Sequence, residues 1–431
     1  MATTERKNRL VNRWDVIVVG AGPAGLLAAC RAAERGRKTL LLEKNRAAGV
    51  KISISGGGHC NVTHAADARG VAEAFGPSGR FLRSALAALD PARLVGLLEA
   101  EGVACRTEPD GKILPASDRA DDVLAAFVRR LGRSGATLET NTPVADVLRE
   151  PSGFRLAAPQ AIYHASEIIL TTGGQSYPGC GTTGDGYAWA AALGHAIVAP
   201  RPALVPITTD DAWVKELQGI TLPDVRLSVV ERADRRAEDP RNAQHAKPTA
   251  QRRGSLLFAH FGLSGPAAMD LSRHVSAAPR GRRPTVVCDF LPDASREKLD
   301  AMLAAAAARE GRRQASSLLS EWLPARLAEA LCREMQVPPD RRAAELARHE
   351  RSRLVSAVKE MPVAATGTLG FEKAEVTAGG VALDEIDSRS MQSKLVPGLF
   401  FAGELLDVDG PIGGYNLQAA FSTGHLAGER A

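Results

Sequence analysis

The chain has 431 residues, of which 45% are hydrophobic and 24% are charged, a composition that indicates an ordinary soluble protein of two or three domains. Its formal charge is +5, and the excess lies between Pro200 and Glu360, where 27 Lys and Arg residues face 21 Asp and Glu residues. No apolar run is long enough to span a membrane, and none follows the basic residues near the start. We therefore expect no membrane segment, no signal peptide and a cytoplasmic location.

The cysteines favour a reducing compartment. They form no C-x-x-C pair and have no histidine nearby at the spacing of zinc ligands. We expect no structural metal. The six positions are Cys30, Cys60, Cys105, Cys180, Cys288 and Cys332.

The first predicted elements form one βαβ unit. Residues 14–20 are an apolar run that predicts a strand, residues 24–35 have apolar side chains at helical spacing, and residues 39–43 predict a second strand. The turn between the first strand and the helix is rich in glycine. This order predicts an α/β fold with a Rossmann-like domain.

The rest of the chain changes character twice. Residues 85–100 and 121–131 predict helices, and residues 166–170 predict a buried strand. After Pro200 short β-like pieces appear at 225–231, 254–258 and 285–290, and then an Ala, Leu, Arg and Glu pattern indicates helices. We expect a discontinuous dinucleotide domain (1–199 and 363–431), a β-rich substrate domain (200–291) and a helical insertion (292–362).

The loop after the first strand has the spacing of a pyrophosphate-binding turn. In Gly20-x-Gly22-x-x-Gly25 the first glycine allows a tight turn, the second lets the backbone approach the pyrophosphate, and the third lets the helix pack on the strand. Glu43, at the end of the second strand, can accept hydrogen bonds from an adenosine ribose. Its charge disfavours a 2′-phosphate, so the nucleotide is expected to be FAD or NAD. The alternative is a turn whose glycines serve packing alone.

The C-terminal segment favours FAD. Residues 399–404 predict a buried strand, and Gly413-Gly414 precedes a helix at 419–427. A helix that begins at such glycines can direct backbone N–H groups at the negative charge of a reduced flavin, which a plain NAD dehydrogenase does not need.

Three long motifs carry a family resemblance. Residues 51–63, 370–381 and 402–418 resemble the BaiN/RdsA family of NAD(P)/FAD-dependent flavoproteins, and the resemblance extends from about Trp14 to Gly428. It implies a two-dinucleotide-binding-domain flavoprotein fold, non-covalent FAD and NAD(P)H as a transient electron donor. The family usually has Arg where this chain has His59, so a guanidinium contact to phosphate is not expected there. Residues 182–186 also resemble fumarate-reductase-like flavoproteins at the level of the fold.

The resemblance and the glycine loop place the expected cofactor site in the dinucleotide domain, and we expect a set of residues there to bind the cofactor. They are Gly20, Gly22, Pro23, Ala24, Gly25, Glu43, Lys44, Lys51, Ser55, Gly57, Gly58, Cys60, Asn61, Val144, Thr172, Gly173, Gly174, Gly403, Glu404, Asp409, Gly413, Gly414, Tyr415, Asn416 and Leu417.

Two residues are candidates for catalysis. The resemblance places Cys60 beside the flavin, where its thiol could donate a proton, although a small residue in a tight turn is the alternative. His260 lies in a predicted loop of the substrate domain and could equally be a packed or solvated histidine. For Asn61 and Asn416 cofactor contact competes with loop capping, and Asp407 and Asp409 could cap the following turn.

The substrate is left open by the residues alone. Arginines of the inserted domains could bind RNA phosphates, but many alternate with acidic residues as on a solvated helix face. These arginines are Arg235, Arg236, Arg252, Arg253, Arg280, Arg282, Arg283, Arg341, Arg342, Arg348, Arg351 and Arg353.

The family resemblance adds a candidate substrate, uridine in 23S ribosomal RNA, which would be reduced to dihydrouridine. The alternatives are a small-molecule flavoenzyme, either a conjugated-ketone or bile-acid-type reductase or an amine oxidase, and a non-catalytic flavin-bearing RNA-binding protein. No second G-x-G-x-x-G is present, so NAD(P)H is expected to dock without a domain of its own.

Overall fold

The computed structural model describes residues 13–230, 248–279 and 281–431. The chain divides into two compact units. Unit 1 comprises Met1–Pro200 and Val376–Ala431, and unit 2 comprises Arg201–Glu375. The α/β fold with a Rossmann-type domain expected from the sequence is confirmed, whereas the three-part domain division stays a prediction.

The strands in the described residues are numbered in chain order. They are β1 (Arg13–Val19), β2 (Thr39–Leu42), β3 (Thr63–His64), β4 (Cys105–Thr107), β5 (Lys112–Pro115), β6 (Thr137–Glu139), β7 (Asp146–Glu150), β8 (Gly153–Ala157), β9 (Ile162–Leu170), β10 (Ile197–Ala203), β11 (Ile207–Thr209), β12 (Thr221–Val230), β13 (Ala250–Ala259), β14 (Gly262–Ser264), β15 (Thr285–Asp289), β16 (Met361–Thr368), β17 (Val376–Val381), β18 (Ile386–Asp387), β19 (Gln392–Ser393) and β20 (Leu399–Phe401).

The α-helices are numbered in the same way. They are α1 (Pro23–Glu34), α2 (Val50–Ile54), α3 (Ala68–Ala74), α4 (Gly79–Ala88), α5 (Pro91–Ala100), α6 (Ala120–Ser134), α7 (Asp185–Ala192), α8 (Ala212–Glu216), α9 (Pro266–Ser276), α10 (Arg296–Arg309), α11 (Ala315–Leu319), α12 (Ala325–Glu334), α13 (Arg348–Glu360) and α14 (Tyr415–Arg430).

The main sheet of unit 1 has the order β18-β19-β20-β9-β1-β2-β6, and β7 and β8 extend it beside β9. Strands β20, β9, β1, β2 and β6 run parallel. Their register aligns the carboxyl ends, since Val19 lies opposite Leu42 and Leu170, and Leu170 lies opposite Phe401. The loops that follow these strands therefore meet at one edge, the edge at which ligands bind in open parallel sheets.

Small residues let two helices pack closely beside this sheet. A Cβ at Gly424 would lie 2.1 Å from the carbonyl oxygen of Ala24, and a Cβ at Gly428 would lie 2.2 Å from that of Ala28. Only glycine permits this approach of α14 to α1. The last of the described helices, α14, is thus packed against the first of them, α1.

The helix expected at 85–100 is two helices. α4 ends at Ala88, and Asp90 caps α5 by accepting a hydrogen bond of 2.8 Å from the N–H of Arg93. Pro91 takes the first helical position, where its missing N–H costs nothing. The Asp-Pro pair therefore ends one helix and begins the next.

Unit 2 contains a closed barrel with helices beside it. The barrel order is β11-β14-β13-β12-β15-β16, and its core contains Leu227, Phe258 and Val286, all 0% exposed. Helices α10 to α13 lie between β15 and β16 in sequence. The β-like pieces predicted at 225–231, 254–258 and 285–290 are strands β12, β13 and β15 within the described residues.

The segment that contains Pro200 is a strand. β10 passes through Pro200 and Pro202 and pairs with β17 in a two-stranded sheet. Proline is tolerated there because edge strands leave some N–H groups unpaired. Among the helices of the described residues, none is long and apolar enough to cross a membrane.

Candidate dinucleotide-binding site

The glycine loop joins β1 to α1 with the geometry that the spacing predicted. Gly20 has a φ of +101°, and a Cβ there would lie 2.8 Å from the carbonyl oxygen of Thr171. A Cβ at Gly25 would lie 1.8 Å from the carbonyl oxygen of Gly20. Thr171 also supports the loop, because its Oγ1 donates to the carbonyl oxygens of Val19 and Gly20 at 2.9 and 2.8 Å.

Glu43 is oriented by the backbone. Its carboxylate is only 7% exposed, and its Oε2 accepts a 2.7 Å hydrogen bond from the N–H of Ala21. Its Oε1 accepts a 2.8 Å bond from the N–H of Asn45. Each carboxylate oxygen has a further lone pair, so the group can still accept hydrogen bonds from the hydroxyls of a ribose.

The loop fits a pyrophosphate. A Cβ at Gly22 would meet no atom within 4 Å, so the space above this residue is open. Pro23 begins α1, and no side chain caps that helix. The positive end of α1 is therefore left for an anionic group, as in other dinucleotide sites.

The C-terminal loop reaches the same edge. Gly403 has a φ of +73°, and a Cβ there would lie 2.9 Å from the Cβ of Ala24. Gly174 lies close to Thr377 and Glu404, since a Cβ at Gly174 would be 2.4 Å from Thr377 Oγ1 and 3.0 Å from Glu404 Oε1. The predicted residues Ala24, Gly174, Gly403 and Glu404 therefore belong to one cluster.

Lys51 and Glu404 form an ion pair within this cluster. Lys51 Nζ lies 2.6 Å from Glu404 Oε2, and the two side chains are 21% and 18% exposed. Ser176 joins both, because its Oγ accepts a 2.6 Å hydrogen bond from Lys51 Nζ and donates a 2.6 Å bond to Glu404 Oε1. Two residues predicted to bind the cofactor are thus also bound to each other.

Lys44 contacts the loop before α7. Its Nζ donates to Thr183 Oγ1 and Asp185 Oδ2, each at 2.6 Å. Asn45 continues this link, since its side-chain amide donates to the carbonyl oxygen of Cys180 at 2.9 Å. The residues after β2 therefore hold residues 180–185 beside the site.

Four residues of the loop 55–60 have a left-handed backbone conformation. Gly56, Gly57, Gly58 and Cys60 have φ values of +57°, +69°, +93° and +58°. Ser55 supports the turn, because its Oγ donates to the carbonyl oxygen of Ile52 at 2.8 Å and its carbonyl oxygen accepts the N–H of Cys60 at 2.9 Å.

Cys60 is fully buried. Its relative exposure is 0%, and burial raises the pKa of its thiol to about 11. The thiol is therefore a weaker acid than an ordinary cysteine and keeps its proton at neutral pH. Neighbouring His59 is exposed, and its Nδ1 lies 3.2 Å from the carbonyl oxygen of Asp118.

The N-terminus of α14 packs against β3. Gly414 has a φ of +91°, and a Cβ there would lie 2.3 Å from the carbonyl oxygen of Thr63. The rings of His64 and Tyr415 stack with centroids 4.7 Å apart. His64 Nδ1 accepts the N–H of Ala66 at 3.2 Å, and its Nε2 donates to the carbonyl oxygen of Asp110 at 3.2 Å. This helix also has no side-chain cap.

Asn416 supports the glycine-rich loop before α14. Its Oδ1 accepts the N–H of Gly410 at 2.8 Å, and its Nδ2 donates to the carbonyl oxygens of Gly410 and Pro411 at 2.9 and 3.3 Å. Both ends of the amide therefore contact the loop, and a cofactor contact by this side chain stays a prediction. Asp409, Leu417 and Val144 also lie in unit 1.

Thr172 lies beside α7. Its Oγ1 is buried without a hydrogen-bond partner among the described residues, and a Cβ at Gly186 would lie 2.3 Å from it. Its side chain thus faces the backbone of the helix. The cofactor contact expected of Thr172 stays a prediction.

His260 belongs to unit 2, whereas the residues described above belong to unit 1. It is exposed in the turn between β13 and β14, and its ring lies edge-on to Phe261 at 4.9 Å. A catalytic role for His260 stays a prediction.

Many arginines of unit 2 are ion-paired. Arg253 contacts Asp224 and Asp293 at 2.6 and 2.8 Å, Arg351 contacts Asp300 at 2.6 Å, and Arg341 contacts Glu350 at 3.4 Å. Two more pairs are longer, Arg283 with Asp210 at 3.7 Å and Arg252 with Asp270 at 4.0 Å. Arg235, Arg236 and Arg280 lie outside the described residues.

Three residues of the site were not anticipated from the sequence. Ser176 and Thr377 are both 0% exposed and join the Lys51–Glu404 pair, and His64 stacks on Tyr415. Thr377 lies within the motif of residues 370–381, and His64 directly follows the motif of residues 51–63. Their positions relative to these motifs could have identified them from the sequence. In the part of the chain that the structure describes, no group of three His, Cys, Asp or Glu residues could hold a metal ion.

Comparisons with known proteins give a consistent result. The HI0933-like protein Rossmann domain matches residues 14–430. The chain is similar to the ribosomal RNA dihydrouridine synthase of Escherichia coli, with 31% identity over 416 residues that cover 96% of each chain. The protein of the same name from Haemophilus influenzae is 29% identical, covering 95% of this chain and 96% of its own. The 3-dehydro-bile acid delta(4,6)-reductase of Clostridium scindens is 28% identical, covering 96% and 98%.

Proposed function

The chain belongs to the HI0933-like Rossmann family, and we propose that this FAD-dependent oxidoreductase delivers hydride to the C=C bond of uridine in 23S ribosomal RNA. The observation that carries the cofactor assignment is the cluster at the carboxyl edge of the sheet. There the open space above Gly22, the buried carboxylate of Glu43 and the C-terminal Gly403 come together in one unit.

Each part of the cluster has a role toward FAD. The uncapped start of α1 would hold the pyrophosphate, and Glu43 would accept hydrogen bonds from the adenosine ribose. The uncapped start of α14 would stabilise negative charge at the other end of the cofactor. Bound FAD supplies hydride transfer, and NAD(P)H is the proposed source of electrons.

Reduction of the uracil ring needs a proton as well as a hydride, one for each carbon of the double bond. Cys60 is the proposed donor of that proton from its Sγ. Burial raises the pKa of this thiol to about 11, so the thiol carries the required proton over the neutral range, as an ordinary thiol also does. The Sγ of Cys60 is buried. The acid role is therefore tested in two ways, by the reactivity of the thiol in the native protein and by substitution of Cys60.

Two observations support RNA as the substrate. Two relatives that match nearly the whole chain are named ribosomal RNA dihydrouridine synthases. In addition, Arg201–Glu375 contains 28 Lys and Arg residues against 23 Asp and Glu residues, so unit 2 carries the whole formal excess of +5. A basic unit suits a polyphosphate ligand.

Unit 2 offers a specific pair of arginines for phosphate contacts. Arg312 and Arg342 are exposed and form no ion pair in the described structure. They lie on neighbouring segments, since the N–H of Ala344 donates to the carbonyl oxygen of Gly311 at 3.1 Å. Arg309 is the matched control, because it is already paired with Glu310 at 2.8 Å.

Anaerobic flavin turnover tests the proposal. The holoprotein is reduced with NADPH and mixed with a 23S ribosomal RNA fragment, and flavin absorbance and dihydrouridine are both measured. We expect reoxidation with one dihydrouridine per flavin. A protein whose reduced flavin persists with RNA, or that binds no FAD, would contradict the proposal.

RNA binding is tested in parallel. We expect Arg312→Ala and Arg342→Ala each to lower the slope of log affinity against log salt by about 1, as for a lost phosphate contact. Arg309→Ala should leave the slope unchanged. Equal slopes for all three variants would remove these residues from the RNA interface.

Reduction of a conjugated ketone is the second candidate. The similarity to the bile-acid reductase of Clostridium scindens, which covers 98% of that protein, favours it. A steroid with a conjugated 3-ketone is therefore offered to the reduced enzyme beside the RNA. Faster reoxidation by the steroid than by RNA would replace the first candidate with the second.

A further inference from the structure

Thr377, in the motif of residues 370–381, connects two parts of the site. Its side chain is 0% exposed, and its Oγ1 accepts the backbone N–H groups of Gln175 and Ser176 at 2.8 and 3.1 Å. Its own backbone N–H donates to Glu404 Oε1 at 2.8 Å. One threonine therefore holds both residues 175–176 and the Glu404 carboxylate.

The segment that Thr377 holds supports the ion pair. Ser176 Oγ lies between Lys51 Nζ and Glu404 Oε1, at 2.6 Å from each. If this segment moved, Lys51 would lose one of its two acceptors and Glu404 would lose one of its three donors. The position of the lysine thus depends on Thr377 through Ser176 and Glu404.

The Lys51 ammonium has a remaining donor. An ammonium carries three N–H groups, and within the described residues two acceptors are recorded for Lys51, Ser176 and Glu404. The side chain is 21% exposed, so the third N–H can reach a ligand. Because Glu404 balances the charge, this donor suits a neutral or weakly negative acceptor.

We propose that Thr377 is a positioning residue that holds Ser176 and Glu404, and through them Lys51, so that the third N–H of Lys51 meets an acceptor atom of bound FAD. This inference rests on the proposed function, because it requires FAD in the site of unit 1. Thr377 itself does not touch the reacting atoms.

The tight packing here explains why the threonine hydroxyl is needed. A Cβ at Gly174 would lie 2.4 Å from Thr377 Oγ1, so the backbone of residues 174–176 closes directly over this oxygen. Valine has the same shape as threonine but cannot accept the two N–H groups. Serine keeps the acceptor and loses only a methyl group.

The experiment compares Thr377→Val with Thr377→Ser in the full chain. Thr209→Val is the matched control, because Thr209 is 2% exposed and its Oγ1 makes two hydrogen bonds, to Ala364 and from Asp211, in the barrel of unit 2. Three quantities are measured: the FAD dissociation constant of the apoprotein, the midpoint potential of the bound flavin, and the urea midpoint of unfolding.

We expect Thr377→Val to raise the FAD dissociation constant at least tenfold. Its midpoint potential should become more negative, since a displaced N–H donor stabilises the reduced, anionic form less. Thr377→Ser should stay within twofold of the unchanged protein. Thr209→Val should lower only the urea midpoint.

A Lys51→Met background tests whether the effect passes through the lysine. There Thr377→Val should raise the dissociation constant no further, because the donor that it positions is gone. If Thr377→Val does not fold, Ser176→Ala replaces it in every measurement. The inference is overturned if Thr377→Val lowers only stability, or if its full effect persists without Lys51.

Failure of the inference and failure of the proposed function look different. If the unchanged protein binds no FAD, the proposed function fails and the inference with it. If the unchanged protein binds FAD and reduces its substrate while Thr377→Val behaves identically, only the role of Thr377 is lost.

Discussion

The carboxylate of Glu43 accepts a 2.7 Å hydrogen bond from the backbone N–H of Ala21, inside the glycine loop. This bond joins the end of β2 to the loop that follows β1, and it directs a buried acid toward the nucleotide side of the sheet. Glu43 thus both shapes the loop and remains able to bind a ribose.

Glu43→Gln should weaken FAD binding at least tenfold, which corresponds to about 1.4 kcal/mol. The amide has one acceptor oxygen where the carboxylate has two, so its NH2 group would face either the N–H of Ala21 or that of Asn45. Fluorescence titration of the apoprotein measures the affinity. Glu385→Gln is the control, because Glu385 also accepts a backbone N–H, that of Ala196 at 2.9 Å. Equal affinities for the two variants would contradict the role of Glu43.

Gly414→Ala should destabilise the protein more than Gly36→Ala. Both glycines are left-handed, with φ of +91° and +85°, but a Cβ at Gly414 would lie 2.3 Å from Thr63 O, whereas one at Gly36 meets nothing within 4 Å. Gly36→Ala should therefore cost ~1–2 kcal/mol of backbone strain. Gly414→Ala should add ~1–3 kcal/mol of overpacking.

Urea unfolding of the two glycine variants measures this difference. FAD content should fall only for Gly414→Ala, since Gly414 immediately precedes α14 at the proposed cofactor site. Similar losses of stability in both variants would mean that the contact with Thr63 relaxes at no cost.

Cys60 should react slowly with iodoacetamide in the native protein. Burial raises the pKa of its thiol from 9.0 to about 11, so at pH 8 its thiolate fraction is about a hundredfold lower than that of an ordinary thiol. Mass spectrometry of the labelled peptides measures the rate for each cysteine. In urea Cys60 should react like the others.

Substitution of Cys60 tests its proposed chemistry. Cys60→Ala should leave reduction of the flavin by NADPH unchanged and slow its single-turnover reoxidation by RNA, because only the second step consumes the proton. An unchanged reoxidation rate would remove the acid role.

The stability of the protein should fall as the pH drops below about 6.5, partly because of His425. Burial lowers the pKa of this histidine to about 4, with further lowering from Arg31, Arg130 and Arg93 and an opposing contribution from Glu429. The folded state therefore binds fewer protons than the unfolded state. The stability gained by keeping His425 neutral in the folded state is present above pH 6.5 and is lost as the pH falls toward 4.

His425→Gln measures that contribution. The free energy of unfolding of the unchanged protein should fall between pH 7 and pH 4 by up to about 3 kcal/mol more than that of the variant. His349→Gln, at an exposed position on α13, is the control and should keep the full pH dependence. A parallel pH profile for His425→Gln and the unchanged protein would assign the loss to other groups.

Local sequence patterns were sufficient to predict the glycine loop after β1 and the acid that follows β2. The turn at Gly20–Gly25 and the acid at Glu43 belong to one short βαβ unit, in which the alternation of strand and helix sets the positions of a few neighbouring residues. The break between α4 and α5 was missed although its signal, Asp90 followed by Pro91, is equally local.

The sequence alone determined that the chain has a Rossmann-type domain with a glycine loop and an acid at the end of the second strand, because each of these depends on neighbours within a few turns of chain. Only the tertiary structure decided that Lys51 pairs with Glu404, 353 residues away, and that Thr377 and Ser176 hold this pair. Such contacts depend on which strands lie side by side and where their carboxyl ends meet. Residue types and spacing along the chain do not contain that information, because many distant acceptors could satisfy the same lysine.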